Sequence, residues 1–341
     1  MISSNDAHTC YNRIAHAILS ISLQQRGVGQ EPLESTLYVI QFMTHYIRLA
    51  FGDSAESYQG TVDRPYQGIY QGHGSAPSCW FSLSTPIINM MRESGFGFEH
   101  WSAISSKALF LAYFAYVDDT DLVHSPSITA TGEDIMELAQ VVLDTCECGI
   151  KATGGALSPL KSYWHLIDFK CSQQGIWSYR KIAEMPGDLT LPALHGNERV
   201  ILTRLEAHET RKALGLKLCR DGKDSANVAF FRSKTVAWAD LIRTSKLRKA
   251  DAWHGLLSTI MKSIEYPLMA TCFSETQCRN IMAPAVMAGL NKSSIQKFFP
   301  RELVCGPTSM QGLGVKFIHT TQLAEHLSMM MRHGHRDSFT G

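Results

Sequence analysis

Residues 115–123 read AYVDDTDLV, Ala115 to Val123, with the paired aspartates directly behind the apolar run LFLAYFAYV (Leu109–Val117). An apolar run of this kind reads as a core strand. Such a strand normally ends in a neutral turn residue, because an unpaired buried carboxylate is costly to desolvate. Here Asp118 and Asp119 sit side by side, with Asp121 two residues on. Like charges that close repel unless positive charge lies between them. Three arrangements answer that: a nearby lysine, a solvated β-turn with Asp at two of its positions, or a metal ion.

Working outward, YNRIAHAILSISLQQRG predicts an amphipathic helix from about Tyr11, stopped by Gly27. EPLESTLYVIQFMTHYIRLAFG predicts a second, with Pro32 in its first turn and Gly52 at its end. DSAESYQGTVDRPYQGIYQG is polar and Gly-rich and suits a hairpin or extended loop, and APSCWFSLSTPIINMMRESG suits a helix kinked at Pro86. After the paired aspartates come a short return strand, a helix through EDIMELAQVVLDTCEC, the turn segment TGGALSPLKS, and strands in SYWHLIDF and GIWSYRKI. MPGDLTLPALHGNE breaks the pattern, and beyond it helices are expected over 226–244, 250–263 and 275–290. A domain boundary is placed near residue 190.

The chain has 341 residues, enough for one large or two ordinary domains. Lys plus Arg (32) exceed Asp plus Glu (31) by one, so no overall field advertises a polyanionic partner. Local basic stretches remain available for such contacts. No apolar run is long enough to span a bilayer, and MISSNDAHTC is not a signal peptide. The nine cysteines are scattered, with no CxxC pair, which argues against a zinc ribbon or a disulfide framework. An intracellular chain, nuclear or cytoplasmic and not secreted, is expected.

Three further stretches join the paired aspartates. DAHTCYNRI puts Asp6 at the end of a short strand, five residues ahead of Tyr11. QGHGSAP (Gln71 to Pro77) opens the kinked helix, and GGALSPLK carries Lys161 after a glycine pair. In this order they resemble the palm motifs A, B (Gln-Gly-x-x-x-x-Pro), C (Tyr-x-Asp-Asp) and D of reverse transcriptases, over roughly residues 2–170. The likeness is nearer the non-LTR retroelement type than the retroviral. PRELVCGPTSMQGLGV resembles the thumb and beyond of retroelement polymerases.

The resemblance implies an α+β fold. Residues 1–190 form the palm, an antiparallel sheet with packed helices, and residues 191–341 a mainly helical thumb-like region. It implies RNA-directed DNA synthesis by two-metal nucleotidyl transfer of dNTPs to a primer 3′-hydroxyl on an RNA or DNA template. Two Mg²⁺ ions, or Mn²⁺, would be held by Asp6, Asp118 and Asp119, since hard cations take oxygen ligands and share them with substrate phosphates. Asp121 falls outside the pattern. Tyr11 matches the aromatic that excludes a ribose 2′-hydroxyl, which also separates this reading from an RNA-copying RNA polymerase. Gln71 and Gly72 match the pair along the incoming nucleotide, and Lys161 the general acid for the pyrophosphate.

Each stretch has a plainer reading: a core tyrosine for Tyr11, a glycine loop that merely starts a helix, and a surface lysine for Lys161. RTSKLRK (Arg243 to Lys249) carries Arg243, Lys246, Arg248 and Lys249. It reads either as a solvated helix end or as a contact for template–primer phosphates. Asp6 lies close to Met1, and Asn12 stands where this motif commonly has a second Asp. The sequence therefore predicts an N-terminally truncated polymerase lacking fingers, with weak or no extension. The alternative is an inactive remnant that binds nucleic acid without polymerising.

Overall fold

The computed structural model describes residues 1–70, 72–102, 106–213, 215–334 and 336. The chain mixes helices and strands and divides into two compact units, Met1–Ala207 and His208–Gly341.

The first unit begins with β1 (Ile2–Asp6), a 3-10 turn at Cys10–Arg13, α1 (His16–Gln25) and α2 (Gln30–Phe42). The hairpin β2 (Thr44–Leu49) and β3 (Gly52–Gln59) follows, then α3 (Ala76–Glu93) and a second hairpin of β4 (Phe98–Ser102) and β5 (Lys107–Leu111). Next come β6 (Tyr113–Tyr116), β7 (Asp119–Val123), α4 (Gly132–Ala152) and β8 (Tyr163–His165). Two small ribbons pair β9 (Phe169–Cys171) with β10 (Trp177–Tyr179), and β11 (Thr190–Pro192) with β12 (Arg199–Ile201). The short β13 (Thr203–Arg204) completes the unit.

Its main sheet has the order β13-β8-β1-β7-β6, antiparallel except where β13 joins β8 in parallel. The central strand β1 is polar, yet Ser3, Ser4 and Asn5 are buried. Buried polar groups need partners. Ser3 Oγ donates to Asn5 Oδ1 (3.2 Å), Asn5 Nδ2 to the Ser3 carbonyl (3.1 Å), and Thr120 Oγ1 to the Asn5 carbonyl (3.2 Å). Helix α4 starts on a capping box between Thr131 and Asp134. It buries Ile135, Ala139, Val142, Leu143, Cys146 and Ile150, one face at helical spacing, in a core shared with Leu83, Ile87, Leu122 and Trp164. Each large apolar side chain so buried contributes about 1.5–3 kcal/mol.

Three expectations fail locally. The apolar run 109–117, expected as one core strand, divides at Ala112 into β5 of the second hairpin and β6 at the edge of the main sheet, and Phe110, Phe114 and Tyr116 are exposed. The helix predicted from Tyr11 starts only at His16, with Tyr11 in the 3-10 turn. There the backbone is drawn into tertiary bonds instead, as Gly68 N–H donates to the Ile14 carbonyl (3.0 Å) and Ala15 N–H to the Thr153 carbonyl (2.9 Å). The second predicted helix stops at Phe42, because the β-prone THYIRL pairs with β3 as a hairpin.

The second unit opens with the ribbon β14 (Thr210–Ala213) and β15 (Leu216–Cys219). It continues through α5 (Ser225–Thr244), α6 (Lys249–Gly255), a π turn at Leu256–Ile260, α7 (Met261–Glu265), α8 (Glu275–Lys292), α9 (Arg301–Cys305) and α10 (Ile318–His333). Its own core holds Phe231, Leu256, Ile264, Ile281, Leu290 and Val304. The nine cysteines are free thiols. Among the described residues no helix is long and apolar enough to cross a membrane.

Candidate active site

The paired aspartates sit on the β6–β7 hairpin, whose two connecting residues are Val117 and Asp118. Val117 has φ 59°, a left-handed backbone that a β-branched residue adopts only under strain. Its carbonyl accepts the indole N–H of Trp80, a buried residue of α3, at 2.5 Å. On the other side Ala7 N–H donates to the Asp118 carbonyl at 2.9 Å. The turn is therefore held between α3 and the end of β1.

Strand register sets the acidic face. Asp6 lies directly opposite Asp119, and Ser4 opposite Asp121. Residues facing each other, or two apart along a strand, share one side of the sheet. Asp6, Asp119 and Asp121 thus project to one face, with Asp118 at its rim, although Asp6 and Asp118 are 112 residues apart. Burial, then the charges of Asp118, Asp6 and Asp121, push the Asp119 carboxyl above the usual carboxylate range, while Lys161 pulls it back.

Lys161 supplies the positive charge. Its Nζ lies 3.2 Å from both carboxylate oxygens of Asp6; the Asp6 side chain is 15% exposed and that of Lys161 65%. The loop carrying it is fastened beside β1: Ser158 N–H donates to the Asp6 carbonyl (2.8 Å) and His8 N–H to the Ala156 carbonyl (2.8 Å). Leu157 N–H donates to Glu147 Oε2 (2.9 Å), a carboxylate on the buried face of α4 whose pKa burial raises. Lys151 Nζ partly offsets that charge from 3.4 Å.

Tyr11 reaches the site from the 3-10 turn, which is clamped on two sides. Ile69 N–H donates to the Tyr11 carbonyl (2.7 Å), and Arg13 Nε to the Gly154 carbonyl (3.4 Å). Both clamps depend on glycine. A Cβ on Gly68 (φ 77°) would fall 2.3 Å from the Asn12 carbonyl oxygen, and one on Gly154 (φ 93°) 2.3 Å from that of Arg13. Between turn and hairpin lies a cavity of about 300 Å³ lined by Thr9, Cys10, Tyr11, Asn12, Tyr116, Val117 and Asp118. Burial and the charges of Asp118 and Asp6 push the Cys10 thiol up to about 11. The Tyr11 phenol is raised by burial, then by Cys10, Asp118 and Tyr116.

Asp6, Asp118, Asp119, Lys161 and Tyr11 are thus brought to one end of the sheet. Gln71 lies outside the described residues. Gly72, at φ 96°, is in the turn before α3 and is not among the described lining residues of the cavity. Arg243, Lys246, Arg248 and Lys249 belong to the second unit, from the last turn of α5 to the first residue of α6. There Arg243 pairs with Asp240 (2.8 Å) and Arg248 with Asp251 (2.8 Å), so both arginines are neutralised locally. Among the described residues no group of three His, Cys, Asp or Glu side chains is gathered to hold a metal ion.

Sequence reading missed Trp80, Glu147, Cys10 and Tyr116. Glu147 left a signal, a carboxylate inside the apolar stripe of α4. Trp80 left none, since its partner is a backbone carbonyl 37 residues away.

No family model and no curated protein matches the chain. Among solved structures it is similar to apo telomerase from Candida tropicalis, at 12% identity and TM-score 0.41, covering 96% of this chain and 47% of that one. Telomerase from Candida albicans with a TWJ fragment of telomeric RNA gives 12% and 0.30, covering 99% of this chain and 48% of that one. The Candida tropicalis complex with the TWJ fragment gives 10% and 0.37, covering 94% and 49%. The chain spans about half the length of each. At these scores none of the likenesses bears on the site.

Proposed function

We propose that the chain is the palm-bearing part of an RNA-directed DNA polymerase of the retroelement kind, which transfers dNTPs to a primer 3′-hydroxyl on an RNA or DNA template. Residues 1–190 would carry the chemistry and residues 191–341 thumb-like contacts. One observation carries the reading: a strained hairpin presents Asp118 and Asp119 against Asp6, beside a cavity that ends on Tyr11.

The donor set fits a divalent ion. It offers hard carboxylate oxygens, crowded enough to raise one carboxyl, and a lysine ammonium lies on Asp6 where a metal charge would serve. The absence of a preassembled three-ligand cluster is compatible with Mg²⁺, which uses one or two carboxylates and takes its remaining ligands from phosphates and water. Asp6, Asp118 and Asp119 would hold two Mg²⁺ or Mn²⁺ ions, which supply Lewis acidity at the attacking and leaving oxygens.

The chain's own residues do the rest. Tyr11 packs under the sugar and leaves no room for a 2′-hydroxyl. The 3′-hydroxyl gives its proton to solvent water, and as its oxygen bonds to the α-phosphorus the bond to the pyrophosphate oxygen breaks. Lys161, freed from Asp6, gives its proton to that oxygen.

The second reading is a nucleic-acid-binding chain that does not polymerise. The Lys161–Asp6 pair favours it, since it occupies a needed carboxylate. Labelled dNTP incorporation on a primed RNA template in Mg²⁺ separates the two. Incorporation that disappears in Asp118→Asn supports the polymerase. Incorporation untouched by that change overturns the site assignment, and none from the wild type leaves the second reading.

A further inference from the structure

Helix α8 places Arg279, Met282, Ala283 and Val286 on one face, at spacings of three and four residues. That face lines a cavity of about 130 Å³, closed by Arg301, Val304 and Cys305 of α9 and by Phe317. The walls are apolar: Met282, Val286 and Val304 are buried core residues. The volume resembles that of an engineered cavity of about 150 Å³ that takes up benzene. One six-membered ring, or a short branched chain, fills such a space.

Two guanidinium groups border it. Arg301 gives Nη2 to the Lys297 carbonyl (2.9 Å), while its Nη1 is buried and has no hydrogen-bond partner. Among the described residues no carboxylate forms an ion pair with it. Arg279 commits Nε and Nη2 to Glu275 Oε1 (3.0 and 2.7 Å) and lies with its Cζ 5.1 Å from the centre of the Phe317 ring. Both guanidinium groups act on the Cys305 thiol in the cavity wall, lowering its pKa against the larger effect of burial. A buried guanidinium nitrogen without an acceptor costs free energy until an oxyanion reaches it.

We propose that this cavity is a binding site for a small amphipathic anion, a single-ring or branched apolar body carrying one carboxylate or phosphate, with Arg301 Nη1 as its principal anchor. The apolar body displaces water from the Val286–Val304–Phe317 walls, and the oxyanion supplies the acceptor that Arg301 lacks. The site lies wholly within the second unit and does not depend on the polymerase reading.

The test uses the full chain with four probes: benzoate, phenyl phosphate, neutral benzyl alcohol, and acetate, which has no ring. Benzoate or phenyl phosphate should bind saturably by NMR titration and slow alkylation of Cys305, followed by peptide mass spectrometry. Benzyl alcohol and acetate should bind at least about tenfold more weakly. The stronger of the two acids identifies the headgroup. Arg301→Met should weaken the acids by about tenfold or more and leave benzyl alcohol unchanged, while Ala283→Phe, which fills the cavity, should abolish all binding. Should Arg301→Met fail to fold, Arg301→Lys and Ala283→Phe still decide. The proposal fails if neither acid binds at millimolar concentration, if benzyl alcohol binds as well as benzoate, or if the variants bind the acids as the wild type does.

Discussion

Replacing Gly68 by Ala tests the clamp that holds Tyr11 in the site. The added Cβ would meet Asn12 backbone atoms at 2.3, 2.4 and 2.6 Å, none of which can rotate away. Overpacking of that kind costs about 1–3 kcal/mol. A side chain at φ 77° adds roughly 1–2 kcal/mol, for a sum of about 2–5 kcal/mol. Gly72 is the control: its φ is 96°, but a Cβ there meets nothing within 4 Å, so only the backbone cost of about 1–2 kcal/mol applies. Both substitutions restrict the unfolded chain equally, so that contribution cancels in the comparison. The assay is hydrogen exchange of the buried β1 amides, which reports on the first unit directly. Gly68→Ala should speed their exchange about fivefold or more beyond Gly72→Ala, about 1.4 kcal/mol per tenfold. Equal effects would show that the close approach to Asn12 does not hold the turn.

Three further outcomes follow from the site. Burial raises the Glu147 carboxyl, so its stabilising, protonated form is present below the ordinary glutamate pKa and lost as pH rises through the folded value. In urea denaturation Glu147→Gln should therefore gain on the wild type as pH goes from 4 to 8, and parallel curves would refute this. Lys161→Ala should destabilise by about 1–3 kcal/mol, since Lys161 is solvated but the Asp6 carboxylate it leaves is only 15% exposed. It should tighten Mn²⁺ binding by spin-resonance titration and slow incorporation by roughly 10²-fold or more; weaker Mn²⁺ binding would count against the shared carboxylate. Tyr11→Val should raise rNTP use relative to dNTP in the incorporation assay, and an unchanged ratio would remove Tyr11 from sugar selection.

Local signals were legible where the chain alone decides the structure. The paired aspartates fall at a hairpin, the α4 stripe is a buried helix face, and the three helical spans expected in the second unit are helical near their expected bounds, whereas α9 and α10 lie outside any expected span. Reading failed where pairing outside the expected helix took over, from distant backbone or from a neighbouring hairpin strand. Ile14 and Ala15 bond to Gly68 and Thr153 rather than continuing a helix, and THYIRL, periodic enough for a helix, finds a strand partner in residues 52–59.

The sequence by itself determined the chemistry available: paired carboxylates behind an apolar strand, an aromatic five residues after Asp6, and a lysine after a glycine pair. Those are properties of residue type and short spacing, which need no fold to be read. Only the tertiary structure decided that Asp6 faces Asp119 across β1 and β7, that Lys161 lies on Asp6, and that the Trp80 indole holds the Val117 carbonyl. Each of those contacts joins residues 37 or more apart in the chain. Strand register and glycine-permitted close approaches create them, and neither leaves a local mark in the sequence.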